Sequence, residues 1–148
     1  MKTWIVVANR SEARIFYSDP KRKRDVDFVS KIENPRGRLK AGDINADKPG
    51  AFAPMAVGHG SGRESRVSPT QQVALDFCKQ VVDSLELARS QNQFEELILF
   101  ADPHFLGLMR NQMSKELRKM VSREEAKDLN VATTDEIQER VYPADLRG

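Results

Sequence analysis

Cysteine, histidine and aromatic residues are scarce in this sequence, and each scarcity closes off a class of function. Among 148 residues there are one Cys, two His, one Trp, two Tyr and seven Phe. A single cysteine cannot build an internal disulfide framework. Cys78 sits among Val73, Ala74, Leu75, Phe77 and Val81, where a free thiol serves as a small apolar filler. His59, His104 and Cys78 are too widely spaced to match the usual zinc-ligand patterns, so no metal and no cofactor is expected. Long apolar runs are missing as well. Trp4-Ile5-Val6-Val7-Ala8 is five residues long and gives way to Asn9-Arg10-Ser11-Glu12, too short for an export signal. No stretch approaches the roughly 18 to 20 apolar residues of a membrane span. A cytoplasmic location with no membrane partner is the expectation.

The motifs of common enzyme classes are also absent. There is no nucleophile elbow, no Walker loop and no spaced-glycine dinucleotide fingerprint. Gly58-His59-Gly60-Ser61-Gly62-Arg63 comes nearest to a phosphate cradle, but it lacks the preceding strand and the lysine of a Walker loop. No catalytic residue is assigned.

What is present is one domain's worth of chain, 39% hydrophobic and with a net charge of only +2. The charge is unevenly spread. Residues 1–66 hold 14 Lys/Arg against 8 Asp/Glu, and residues 67–148 hold 10 against 14, so the first part is +6 and the second −4. Such an asymmetry can steer a polyanion to one region, or be ordinary solvated surface.

Periodicity divides the chain. Thr3 to Ala8 reads as a buried strand and Ala13 to Ser18 alternates around Ile15 and Tyr17. Val26, Phe28, Ser30 and Ile32 recur at period two on one face, completing a meander whose second turn is Asp19-Pro20-Lys21-Arg22-Lys23-Arg24. From Asn34 to Pro69 no period is sustained, and this segment holds six of the eight glycines and four of the seven prolines. A long aperiodic segment inside a small domain is usually functional or disordered. Ser68-Pro69 then opens a helix with Val73, Phe77, Val81 and Leu85 at four-residue spacing. Phe94 to Ala101, with its run Leu97-Ile98-Leu99-Phe100, is expected to be the central strand. Phe105, Leu106, Leu108, Met109, Met113, Leu117 and Met120 form the stripe of a second long helix, Val121 to Glu125 a short edge strand, and Thr134-Asp135-Glu136-Ile137 the start of a last helix. The fold class is α/β: a single domain over residues 1–148, with a mixed β-sheet flanked by helices and a Gly/Pro-rich basic loop at about 34–69.

Candidate binding residues are concentrated in that loop. Arg36, Arg38 and Lys40, then Gly58, His59, Gly60, Gly62, Arg63 and Arg66, combine positive charge with a backbone able to approach phosphate closely, because glycine has no side chain. Apart from Phe52 no aromatic residue interleaves with them, which argues against base stacking on single strands. Asp102, at the carboxyl end of the expected central strand, invites a divalent-metal nuclease reading. Convergent carboxylates are needed for that, and the other inner strand ends offer Asn9 and Ser18. Asp102 is better explained as the cap of the helix from Phe105 onward, and His104 as a first-turn residue.

The runs Trp4 to Phe16, Phe94 to Asp102, Pro103-His104-Phe105-Leu106-Gly107-Leu108-Met109-Arg110 and Lys127-Asp128-Leu129 resemble the bacterial host attachment protein family, proteins required for attachment to host cells. Asp102, Phe105, Leu106, Gly107 and Arg110 carry the most specific part of the resemblance. That family is similar in turn to the middle domain of archaeal and eukaryotic peptide release factors and their ribosome-rescue relatives, which implies an RNase H-like fold. In release factors the glycine-rich loop ahead of the long helix carries a Gly-Gly-Gln motif that enters the peptidyl transferase centre. Here that stretch is Gly58-His59-Gly60-Ser61-Gly62-Arg63-Glu64-Ser65-Arg66, with no glutamine after a glycine pair, so peptide release is not expected. The resemblance implies a non-catalytic domain bound to the ribosome or to structured RNA. A host-surface or bacterial protein partner in attachment is the alternative, and an RNase H-like nuclease a second one.

Overall fold

The computed structural model describes residues 1–21, 23–38 and 68–143. Five strands form one mixed sheet in the order β3-β2-β1-β4-β5: β1 Thr3–Ala8, β2 Glu12–Asp19, β3 Lys23–Glu33, β4 Glu96–Ala101 and β5 Val121–Ala126. β1, β2 and β3 are an antiparallel meander, whereas β4 runs parallel to β1 and β5 parallel to β4. Among the described residues four helices connect or follow the strands: α1 Pro69–Ser90, α2 Pro103–Gln112, α3 Lys115–Met120 and α4 Thr134–Val141. A short 3-10 helix covers Pro35–Arg38.

The middle of the sheet is β1 rather than β4. Every residue of β1 is buried, because Trp4, Val6 and Ala8 pack under α1, α2 and α3 while Ile5 and Val7 pack under α4. β4 is also covered on both faces, but beyond it lies only β5, a half-exposed edge strand. A continuous apolar run marks coverage on both faces, and two strands share that property here.

Two further expectations change. The period-two stripe of β3 is broken, since Phe16 faces Phe28 and Ile15 faces Ser30, which leaves Val29 as an extra residue. The bulge moves the strand to the other face. Val26 consequently belongs to the small cluster under α4, whereas Ile32 packs on the large cluster. The second long helix is in fact two. α2 stops at Met113, and Ser114 begins α3 by accepting the Leu117 N–H at 3.1 Å. Glu86 of α1 fixes this break by accepting from the Ser114 N–H at 2.8 Å and its hydroxyl at 3.0 Å.

α1 begins at its expected Ser68 cap, whereas α4, expected from Thr134, is capped by the preceding Thr133. Ser68 and Gln71 form a reciprocal capping box at α1, as do Thr133 and Glu136 at α4.

Candidate functional site

The sheet order reverses between β1, which leads to β2, and β4, which leads through α2 and α3 to β5. In open α/β sheets the crevice outside the carboxyl ends of the strands at such a switch point is where ligands bind. Here that edge is built from the residues just after β1, β4 and β5.

Asn9 follows β1. Its side-chain oxygen accepts from the Ser11 N–H at 2.7 Å and the Glu12 N–H at 3.1 Å, which folds the tight turn into β2. Its amide nitrogen lies 3.4 Å from both carboxylate oxygens of Asp128, two residues past β5. The 3-10 helix docks on the same turn: the Asn34 side chain donates to the Arg10 carbonyl at 2.8 Å, and the Asn34 N–H to that of Ser11 at 2.8 Å. Gly37 comes so close that a Cβ there would lie 2.1 Å from the Arg10 carbonyl oxygen. Only glycine permits that approach. The first part of the basic segment is therefore clamped to the carboxyl edge of the sheet.

Asp102 follows β4 and caps α2, with Oδ2 accepting the Phe105 N–H at 3.2 Å. The sequence reading of this residue as a cap holds. Phe105 and Leu106 are core residues of the large cluster. Gly107 has open space around the position of a Cβ. Arg110 reaches across to β5 and pairs with Glu124 at 2.8 Å. All five motif residues thus build α2 or tie it down. His104, in the first turn of α2, is exposed.

Of the loop candidates, Lys40, Gly58, His59, Gly60, Gly62, Arg63 and Arg66 lie outside the described residues. Arg38 ends the 3-10 helix. Arg36 is half-buried, and one guanidinium nitrogen is buried without a hydrogen-bond partner among the described residues.

Two titratable groups outside this edge are tuned by packing. Burial pushes the Cys78 thiol up to about 12, so it stays protonated and unreactive at neutral pH. Partial burial pushes the Glu86 carboxyl up, but the hydrogen bonds from the Ser114 backbone and hydroxyl and the nearby Arg89 outweigh it and hold the pKa below the ordinary value. Among the described residues no three His, Cys, Asp or Glu side chains meet in a way that could hold a metal ion. Asp102 and Asp128 each bind their own backbone, Asp128 accepting from the Asn130 N–H at 3.1 Å. The edge is a platform of amides, caps and a glycine contact.

The sequence reading missed two arginines that organise the other face. Arg14 donates to the Leu129 and Ala132 carbonyls, both at 2.7 Å, and lies 5.5 Å from the Phe16 ring centroid. Arg123 donates to the Arg140 carbonyl at 3.0 Å, pairs with Glu125 and lies over Phe100. Positive charge inside a strand was the available signal, but nothing in the spacing names the partners. A shallow pocket of about 610 Å³ between α4 and β5 includes Leu129, Ala132 and Glu139 in its lining. Arg123, also in its wall, is already engaged in holding α4.

Among the described residues no helix is long and apolar enough to cross a membrane. An archaeal protein of solved structure superposes on 99% of this chain with a TM-score of 0.50 at 10% identity, which supports the fold; the match covers 34% of that longer chain. An uncharacterized protein of Rickettsia prowazekii (strain Madrid E) is 35% identical over 69 residues, 45% of this chain and 46% of its own length. The chain thus spans about half of that relative. Residues 2–141 match the family described as Bacterial archaeo-eukaryotic release factor family 12. A match over nearly the whole chain is decisive: this protein belongs to that release-factor-like family.

Proposed function

We propose that this chain is a non-catalytic RNA- or ribosome-associated binding domain that contacts phosphate backbone through its glycine-rich basic segment. The observation that carries the reading is membership of a release-factor-like family over residues 2–141. Two features support the choice of segment. Its described beginning, Asn34 to Gly37, is fastened to the carboxyl edge of the sheet, and its sequence places Arg63 and Arg66 beside three glycines. Contacts of this kind are mostly electrostatic and independent of nucleotide sequence. Without a Gly-Gly-Gln motif, the segment lacks the hydrolytic element of release factors.

The test is RNA binding by the purified protein across a salt series, with Arg63→Ala/Arg66→Ala beside the wild type. Loss of two phosphate contacts should weaken binding and flatten the slope of log affinity against log salt by about 2. Stability should stay within about 0.5 kcal/mol. Equal binding by the double variant would remove the segment from the account.

The resemblance of Pro103 to Arg110 to host attachment proteins favours a second reading, a protein-interaction factor in bacterial attachment to host cells. A deletion strain that attaches poorly while its ribosome profile is unchanged would favour it over RNA binding.

A further inference from the structure

We propose that the opposite edge of the sheet, at the amino ends of β1, β4 and β5, is a second phosphate-contact surface for RNA, independent of the glycine-rich segment. This rests on the RNA-binding reading above. Lys2 immediately precedes β1, Lys21 lies in the turn between β2 and β3, and Arg118 and Lys119 close α3 just before β5. All four are exposed. The register places them along one rim, because Thr3 stands opposite both Ser18 and Glu96, and Leu97 opposite Val121. Lys23 and Arg24 begin β3 at the same rim.

The row has the dimensions of a phosphate track. Neighbouring strands are about 4.8 Å apart, so the rim from β3 to β5 spans about 19 Å. In duplex DNA successive phosphates of one strand advance about 3.4 Å along the axis, so the rim is several phosphate steps long. Three carboxylates along it, Glu95, Asp19 and Glu96, keep their charge but are hydrogen-bonded within the protein, and Asp19 also pairs with the N-terminal ammonium at 3.0 Å. Glu95 accepts from the Lys2 N–H at 2.9 Å, Asp19 from the Lys21 N–H at 3.3 Å, and Glu96 from Thr3 at 2.8 Å and from Ser122. The Lys2 ammonium donates to the Asn92 carbonyl at 2.8 Å, whereas Lys21, Arg118 and Lys119 stand exposed on long stems. The described start of the glycine-rich segment, Asn34 to Gly37, is fastened at the other end of β1, six residues or about 20 Å away.

The experiment measures binding of a fluorescein-labelled RNA hairpin by anisotropy across a potassium chloride series. Four forms of the full chain are compared: wild type, Lys21→Ala/Arg118→Ala/Lys119→Ala, Arg63→Ala/Arg66→Ala, and the combination of all five substitutions. Circular dichroism and thermal melting confirm folding, and Lys21→Arg/Lys119→Arg serves as the charge-preserving control. The triple variant should bind about tenfold or more weakly at low salt, with a salt slope reduced by about 2 to 3. The arginine control should bind as the wild type, and the combined variant should lose more than either set alone. Unchanged binding by the triple variant, with weakened binding by the loop variant, overturns the second surface and leaves the loop reading intact. Weakened binding by the triple variant with an unaffected loop variant supports the rim and removes the loop. A wild type that does not bind the hairpin overturns both, and if it binds phosphatidylserine vesicles instead, the rim is a membrane contact.

Discussion

The two faces of the sheet are covered by different means. Among the described residues, twenty that are buried make up the cluster under α1, α2 and α3, including Trp4, Leu85, Phe94, Leu97, Leu99 and Phe105. Under α4 there are eight. An eight-residue helix cannot bury enough apolar surface to hold itself in place, and polar groups supply the remaining attachment. Arg14 holds the Leu129–Ala132 segment, Arg123 holds the end of α4, Gln138 accepts the Val26 N–H at 2.9 Å, and Tyr142 bonds the buried Ser18 at 2.9 Å. The large face is fastened by volume and the small face by directed hydrogen bonds. The first should fail through cavities and the second through unpaired carbonyls.

The largest effect is expected on the large face. Leu99→Ala should cost about 2 to 5 kcal/mol in urea unfolding, because Leu99 is fully buried within the larger cluster. A loss below about 1 kcal/mol would mean that the face is not held by packing.

Arg14→Leu tests the small face. Removing the guanidinium leaves the Leu129 and Ala132 carbonyls without their donor, at a cost of about 1 to 3 kcal/mol. Amide exchange should speed up around residues 129–137 before it does in β1. Uniform acceleration would show that the small face does not open by itself.

Gly107→Ala is expected to stabilise by about 0.5 to 1 kcal/mol. Glycine inside a helix carries that conformational penalty, and a Cβ there meets nothing within 4 Å. A destabilised variant would give this motif residue a role beyond local helix structure.

The smallest effect is pH-dependent. Glu86 has a folded pKa below its ordinary 4.5, so its contribution is present above the unfolded value and lost as pH falls through the folded one. The stability gap between wild type and Glu86→Gln should be a few tenths to about 1 kcal/mol at neutral pH and should close on acidification below 4.5. A gap that is constant with pH would show that Glu86 acts through shape alone.

Much of this architecture is legible in the sequence, because strands covered on both faces and amphipathic helices write burial directly into residue order. Ser68 and Asp102 also announce helix starts through local chemistry, whereas the cap of α4 is Thr133, one residue before the start at Thr134 that the sequence suggests. Three things are hidden. The bulge at Val29 reverses the face of β3 without disturbing composition. The break at Ser114 depends on Glu86, which is 28 residues away. Arg14 and Arg123 meet carbonyls supplied by distant parts of the chain. Each depends on long-range partners, which periodicity does not encode. At the candidate site, Asp102 was readable as a cap, whereas the contact between Gly37 and Arg10 required the fold to bring the turn and the 3-10 helix together.

Association with RNA or ribosomes can be read from sedimentation of the tagged protein from gently lysed cells through a sucrose gradient, with and without RNase and at low and high salt. Co-migration with ribosomal particles, abolished by RNase and by high salt, is the predicted result. Migration as a small free protein under every condition would contradict the account.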